Sequence, residues 1–133
     1  MSLDIQRDER EGIVILSLKG RIVAGEGAGR LREAAHEVAA AGGQRLILDL
    51  KQVDYIDSTG LGALVMCHTS MRKAGGVAKL LNLNKRTIEL LVMTKLATVF
   101  EIFNDDQDAV NSFFPDREIK RFDILSFIQS QKD

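Results

Sequence analysis

Apolar residues along this chain fall into short blocks, separated by glycine-containing breaks and by stretches where they recur every three or four positions. Residues 3 to 7 and Ile13 to Leu18, on either side of the charged turn DEREG, predict a β-hairpin. Lys19 and Gly20 are expected to end the second run, leaving Arg21-Ile22-Val23 as a separate short strand. Gly25, Gly27 and Gly29 then predict a loop, since glycine punctuates regular structure. From Arg30 to Ala41 one face carries Leu31, Ala34, Ala35 and Val38 while Arg32, Glu33, His36 and Glu37 take the rest, which predicts a helix packed on one side.

Gly42-Gly43 stops that helix, and Arg45 to Leu50, extended or rejoined by Val53 to Ile56, has the mostly apolar character of a strand covered on both faces. Leu61, Leu64, Val65, His68, Met71 and Arg72 repeat at helical spacing, so residues 59 to 73 predict a helix closed by Gly75-Gly76. The remainder predicts a strand over Val77 to Asn82, a helix capped by Asn84 through Leu91 or beyond, a strand over Phe100 to Phe103, and a helix from Asp105 to about Phe113. Strands alternating with helices define an α/β fold: a mixed β-sheet of about four to five strands covered by about four α-helices. All six phenylalanines stand at or after position 100. The sole proline, Pro115, divides a domain at 1–114 from an extension at 115–133. There Ile119, Phe122, Leu125 and Ile128 recur every three residues and predict an amphipathic helix, which could pack on the domain or pair two subunits.

Composition narrows the function classes. At 133 residues and 45% apolar content the chain suits one domain with a real core. Its 18 basic and 19 acidic residues, net charge -1, offer no electrostatic basis for nucleic acid or for an anionic membrane surface. A single cysteine, Cys67, excludes an internal disulfide, and two histidines, His36 and His68, do not make a recognisable metal set. No cofactor is implied. A charged N-terminus and the lack of a long apolar run predict a soluble, cytoplasmic protein.

The stretch DYIDSTGLGALV at 54 to 65 carries the candidate chemistry. Tyr55 and Ile56 continue like a buried strand; Asp57, Ser58 and Thr59 then form a polar corner before two glycines, Gly60 and Gly62, inside a helix. A catalytic serine elbow would need glycine where Ile56 stands, and His68 lies ten residues down the same helix, about 15 Å along its axis. A Walker loop needs lysine and a hydroxyl after its last glycine, whereas Ala63-Leu64 follow Gly62. The GEGAG at 25 to 29 misses the dinucleotide-binding spacing as well. Both histidines therefore read as solvated, Cys67 as a small core side chain, and Met66, Met71 and Met93 as gap fillers. Two readings of the corner stay open. Asp57 or Ser58 caps the helix, or Ser58 is in addition a modification site, where a phosphate would add about -1.5 to -2 charges. Glycines in the first turn of a helix cost up to ~1 kcal/mol each, so something must require a small, exposed tip.

These residues resemble the STAS domain family. The resemblance spans about residues 3 to 113 and rests on LSLKGRIV at 16 to 23, RLILDLKQVDYIDSTGLGALV at 45 to 65, AGGVAKLLNLNKR at 74 to 86 and TKLATVFEIF at 94 to 103. It implies a STAS-like fold and, for a bacterial chain of this length, an anti-sigma factor antagonist rather than an enzyme. The implied partner is an anti-sigma factor that is also a serine kinase and phosphorylates Ser58, with Thr59 as a secondary acceptor; a PP2C-type phosphatase would restore binding. By the same resemblance the contact region covers Asp57, Ser58, Thr59, Gly60, Leu61 and Gly62, with the two glycines keeping the approach open. Leu61 could face partner or core. The other implied role is a STAS scaffold or accessory subunit of a sensory or transport complex, without a phosphorylation switch.

Overall fold

The computed structural model describes residues 3–120 and residue 124. Five strands and four helices follow in the order β1 (Leu3–Arg10), β2 (Ile13–Ile22), α1 (Glu26–Ala40), β3 (Arg45–Ile56), α2 (Ser58–Lys73), β4 (Val77–Leu81), α3 (Lys85–Met93), β5 (Ile102–Phe103) and α4 (Asp106–Asn111). The strands lie side by side in sequence order in one sheet; β1 and β2 are antiparallel, and the remaining pairs are parallel. The expected α/β mixed sheet is the one observed.

Two differences from the sequence pattern concern glycines. Lys19-Gly20 does not break β2. The strand runs on to Ile22 through register irregularities against β3 on both sides of this pair, and Gly20 adopts φ 114°, a bulge conformation open to glycine. Arg21-Ile22 therefore extends β2 and is no separate strand. Helix α1 also begins earlier than expected, at Glu26, so Gly27 and Gly29 are helical. A Cβ on Gly27 would stand 2.7 Å from the Arg21 carbonyl oxygen, so the first turn of α1 sits against the end of β2 by way of a residue without a side chain.

Alternation along the strands builds two unequal cores. Val14, Leu16 and Leu18 of β2, Leu46, Leu48 and Leu50 of β3, and Ala78 and Leu80 of β4 join Leu31, Ala35 and Val38 of α1 and Leu61, Leu64 and Met71 of α2. The opposite face is covered over part of its length, by Ile13, Ile47, Leu81 and Phe103 beneath Ala109 and Val110 of α4. Lys79 is buried at that layer, with Nζ 2.8 Å from Glu101 Oε2, donating to the Ser112 carbonyl and hydroxyl and lying 4.3 Å from the centre of the Phe113 ring. Residues 115–120 carry no helix. The amphipathic helix expected for the rest of the extension lies outside the described residues, apart from Ile124, which packs against the larger core.

Candidate functional site

The corner between β3 and α2 is braced by Asp57. As N-cap of α2 its Oδ1 accepts the Gly60 N–H at 2.7 Å, while Oδ2 accepts the Ala24 N–H at 3.0 Å from the loop after β2. The backbone N–H of Asp57 donates in turn to the Ile22 carbonyl at 3.3 Å. Hydrogen bonds from the Ala24 and then the Gly60 N–H hold the carboxyl below its ordinary pKa, so it is anionic at neutral pH. Of the two capping alternatives, Asp57 is the cap. Ser58 is the exposed first residue of α2, and among the described residues neither its hydroxyl nor that of exposed Thr59 makes a hydrogen bond.

The two glycines do different work. A Cβ on Gly60 would lie 1.8 Å from the Ile22 carbonyl oxygen, so its lack of a side chain lets α2 start flush against β2; it does not open an approach from solvent. Gly62 has open space where its Cβ would be and is exposed. Leu61 faces the core, with 4% of its surface exposed. The corner thus presents Ser58, Thr59 and Gly62 outward, with Asp57, Gly60 and Leu61 supporting them from below.

Several neighbours sit where the sequence pattern did not place them. Tyr55 is not buried but 37% exposed, and the guanidinium carbons of Arg21 and Arg86 lie 5.1 and 5.6 Å from its ring centre. Met66 and Met93 fill no gap, being 46% and 78% exposed. Met66 shares the outer side of α2 with Ser58 and Gly62 at four-residue spacing, a signal legible in the sequence once the inner face is assigned. Among the gap fillers only Met71 is in the core. His36 is exposed as expected, but His68 is half-buried: its ring meets Phe100 edge-on at 5.5 Å, its sealed Nδ1 has no hydrogen-bond partner among the described residues, and burial, followed by the Arg72 charge, lowers its pKa. Cys67 is a core residue whose thiol burial pushes up to about 12.

Chemically, the corner offers an accessible hydroxyl with no base bonded to it among the described residues. The cleft of about 290 Å³ bounded by Ile5, Leu16, Arg30, Ala34 and Val38 includes no corner residue. Among the described residues no helix is long and apolar enough to cross a membrane. The site is thus a braced, accessible hydroxyl on an open surface of a small mixed-sheet α/β domain. The chain is a member of the STAS domain family, whose sequence profile matches residues 4–109.

Its relatives include the anti-sigma-B factor antagonist of Bacillus subtilis strain 168, 34% identical over 102 residues that cover 77% of this chain and 92% of that protein. The crystal structure of an anti-sigma factor antagonist from Mycobacterium paratuberculosis superposes with a TM-score of 0.73 at 23% identity, covering 83% of this chain and 92% of that one. The anti-sigma factor antagonist SpoIIAA in its unphosphorylated form superposes at 0.63 with 16% identity, covering 84% of this chain and 99% of that one. These likenesses establish the common fold.

Proposed function

We propose that this protein is an anti-sigma factor antagonist: unphosphorylated, it docks through the Ser58 corner on an anti-sigma factor that is also a serine kinase, and so frees a sigma factor. The observation that carries this is the Ser58 hydroxyl, exposed at the start of α2 and not consumed by capping, because Asp57 does the capping. A scaffold role in which Ser58 merely caps its helix is not the geometry found, because Asp57 is the cap.

Phosphorylation adds about -1.5 to -2 charges at pH 7, next to the already ionised Asp57. The first-turn amides and dipole of α2 accommodate such a group without unfolding the domain. A partner surface matched to the neutral corner is then repelled. SpoIIAA, which shares the fold, has also been solved in a phosphorylated form, which supports this economy of change. Thr59 is the secondary acceptor, a PP2C-type phosphatase resets the switch, and the exchange takes place in the cytoplasm. No catalytic step is assigned to the chain itself.

The test is to incubate the protein with ATP and purified anti-sigma factor kinases and to map phosphate by mass spectrometry. Ser58 is the expected site. Label elsewhere with Ser58 untouched would defeat the assignment. Ser58→Asp is expected to weaken kinase binding about tenfold or more, about 1.4 kcal/mol or more and within what one like-charge juxtaposition costs, while Ser58→Ala retains it; equal binding by the two variants would refute a charge switch.

A further inference from the structure

Three elements bring an unusual group together at the carboxyl end of the parallel strands, where open α/β sheets present their recognition surface. Arg21 comes from the end of β2, Tyr55 from the end of β3 and Arg86 from the first turn of α3. Both guanidinium groups lie over the Tyr55 ring, at 5.1 and 5.6 Å, and all three side chains are exposed. Among the described residues neither guanidinium has an ion pair or a hydrogen bond. Cation–π attraction to the ring restrains each guanidinium without consuming its N–H donors, which stay available to a ligand.

Basic and acidic side chains alternate around this group, and what sets the two arginines apart is that their donors are unpaired among the described residues. Lys85 adds a third exposed cation beside Arg86. Of the nearby acids, Asp57 has both oxygens committed to the Ala24 and Gly60 N–H groups, and exposed Asp54 and Glu89, the latter one turn along α3 from Arg86, pair with neither arginine among the described residues.

We infer that Arg21 and Arg86, organised by Tyr55, form a guanidinium clamp for carboxylate side chains of the protein that docks on the Ser58 corner, and that a phosphate on Ser58 acts by weakening this clamp. The second half rests on the reading of Ser58 as the switch; the first does not. Tyr55 and Ser58 are three Cα steps apart, with Ile56 and Asp57 between them, which bounds their Cα separation at about 11 Å. That is comparable to the screening length of about 8 Å at physiological ionic strength, so a dianion on Ser58 lowers the potential felt by an acidic segment arriving at the arginines. The clamp therefore selects an acidic partner surface and makes its binding sensitive to phosphorylation nearby.

The experiment measures binding to the purified anti-sigma factor kinase at low and high salt, for wild type, Arg21→Gln/Arg86→Gln and Arg21→Lys/Arg86→Lys, with and without Ser58→Asp. The glutamine pair should bind about tenfold more weakly at low salt, chiefly through slower association, with the difference shrinking at high salt. The lysine pair should recover part of the loss, because charge remains while the fork geometry goes. Unaltered circular dichroism melts establish that the fold is kept. The affinity ratio between Ser58→Asp and Ser58 should be smaller in the glutamine background than in the wild type. Unchanged affinity and salt dependence in the glutamine pair would overturn the clamp, as would arginine-dependent capture of a single-stranded oligonucleotide in preference to the kinase. A full Ser58→Asp penalty in the glutamine background would overturn the coupling, whereas a Ser58→Asp variant that is harmless in every background would overturn the Ser58 switch and leave the clamp standing on its salt dependence.

Discussion

Gly60 and Gly62 stand two residues apart in one helix, and the structure gives alanine opposite effects at the two positions. At Gly60 the new Cβ would lie 1.8 Å from the Ile22 carbonyl oxygen, 2.7 Å from its carbon and 2.9 Å from Ile56 Cγ1. The obstacle is backbone. The Ile22 carbonyl also accepts the Asp57 N–H, so neither it nor the start of α2 can retreat by more than an ångström without disturbing the cap. Overpacking usually costs 1–3 kcal/mol; against rigid backbone we take about 3 kcal/mol, offset by about 1 kcal/mol of helix propensity gained on leaving glycine. The net loss of about 2 kcal/mol corresponds to a fall of about 8 °C in Tm for a domain of this size. At Gly62 the Cβ meets nothing within 4 Å, and only the propensity gain of about 0.5–1 kcal/mol remains, a rise of about 2–4 °C. Thermal melts by circular dichroism, backed by urea titrations, read both variants. Gly60→Ala melting within a degree or two of wild type, or both variants shifting the same way, would refute the packing role assigned to Gly60.

Acid stability should depend on Asp57: its pKa is depressed in the folded state, so its contribution is present above the ordinary carboxylate value of 3.8 and is lost as pH falls through the folded one. Asp57→Asn should thus melt lower than wild type at pH 7 and converge with it toward pH 2, whereas a gap that persists at low pH would contradict the linkage. At Lys79, whose side chain is 7% exposed, Lys79→Ala should destabilise by about 2–3 kcal/mol in urea by leaving a cavity and removing the donor to Ser112, while Lys79→Met, which keeps the volume, stays within about 1 kcal/mol of wild type. Equal losses in the two would show that charge, and not filled space, holds this layer. Cys67, with its thiol pushed up to about 12, should resist alkylation in the native protein at pH 8 and react fully in urea; rapid native labelling monitored by mass spectrometry would contradict its burial.

Much of this architecture was legible along the chain because its signals are local. The period-two and period-three-to-four patterns placed the observed helices and strands to within about four residues, though they also expected a separate strand at 21–23 that is the end of β2; Asn84 read as a cap and Asp105 as a helix start, and both side chains accept first-turn N–H groups, from Thr87 and Asp108. The polar corner at 57–59 stood out for the same reason: three polar residues and two glycines interrupt a pattern that is otherwise apolar. Boundaries failed where a glycine had two possible meanings. Gly20 and Gly27 read as breaks in isolation, but one supports a bulge that β3 pairs around, and the other sits inside a helix that packs on β2.

What the sequence by itself determined, then, is the order of elements, the two-sided burial of the sheet and the presence of an exceptional corner, all of which follow from spacing between near neighbours. Only the tertiary structure decided which residue of the corner caps, which glycine is pressed against backbone and which faces water, that Lys79 is buried, and that Arg21 and Arg86 converge on Tyr55 across intervals of 34 and 31 residues. The corner and the arginine pair depend on strands β2 and β3 and helix α3 meeting at one end of the sheet, and the burial of Lys79 on the segment around α4 closing over β4. No periodicity encodes the approach of distant segments; chain closure and packing fix it together.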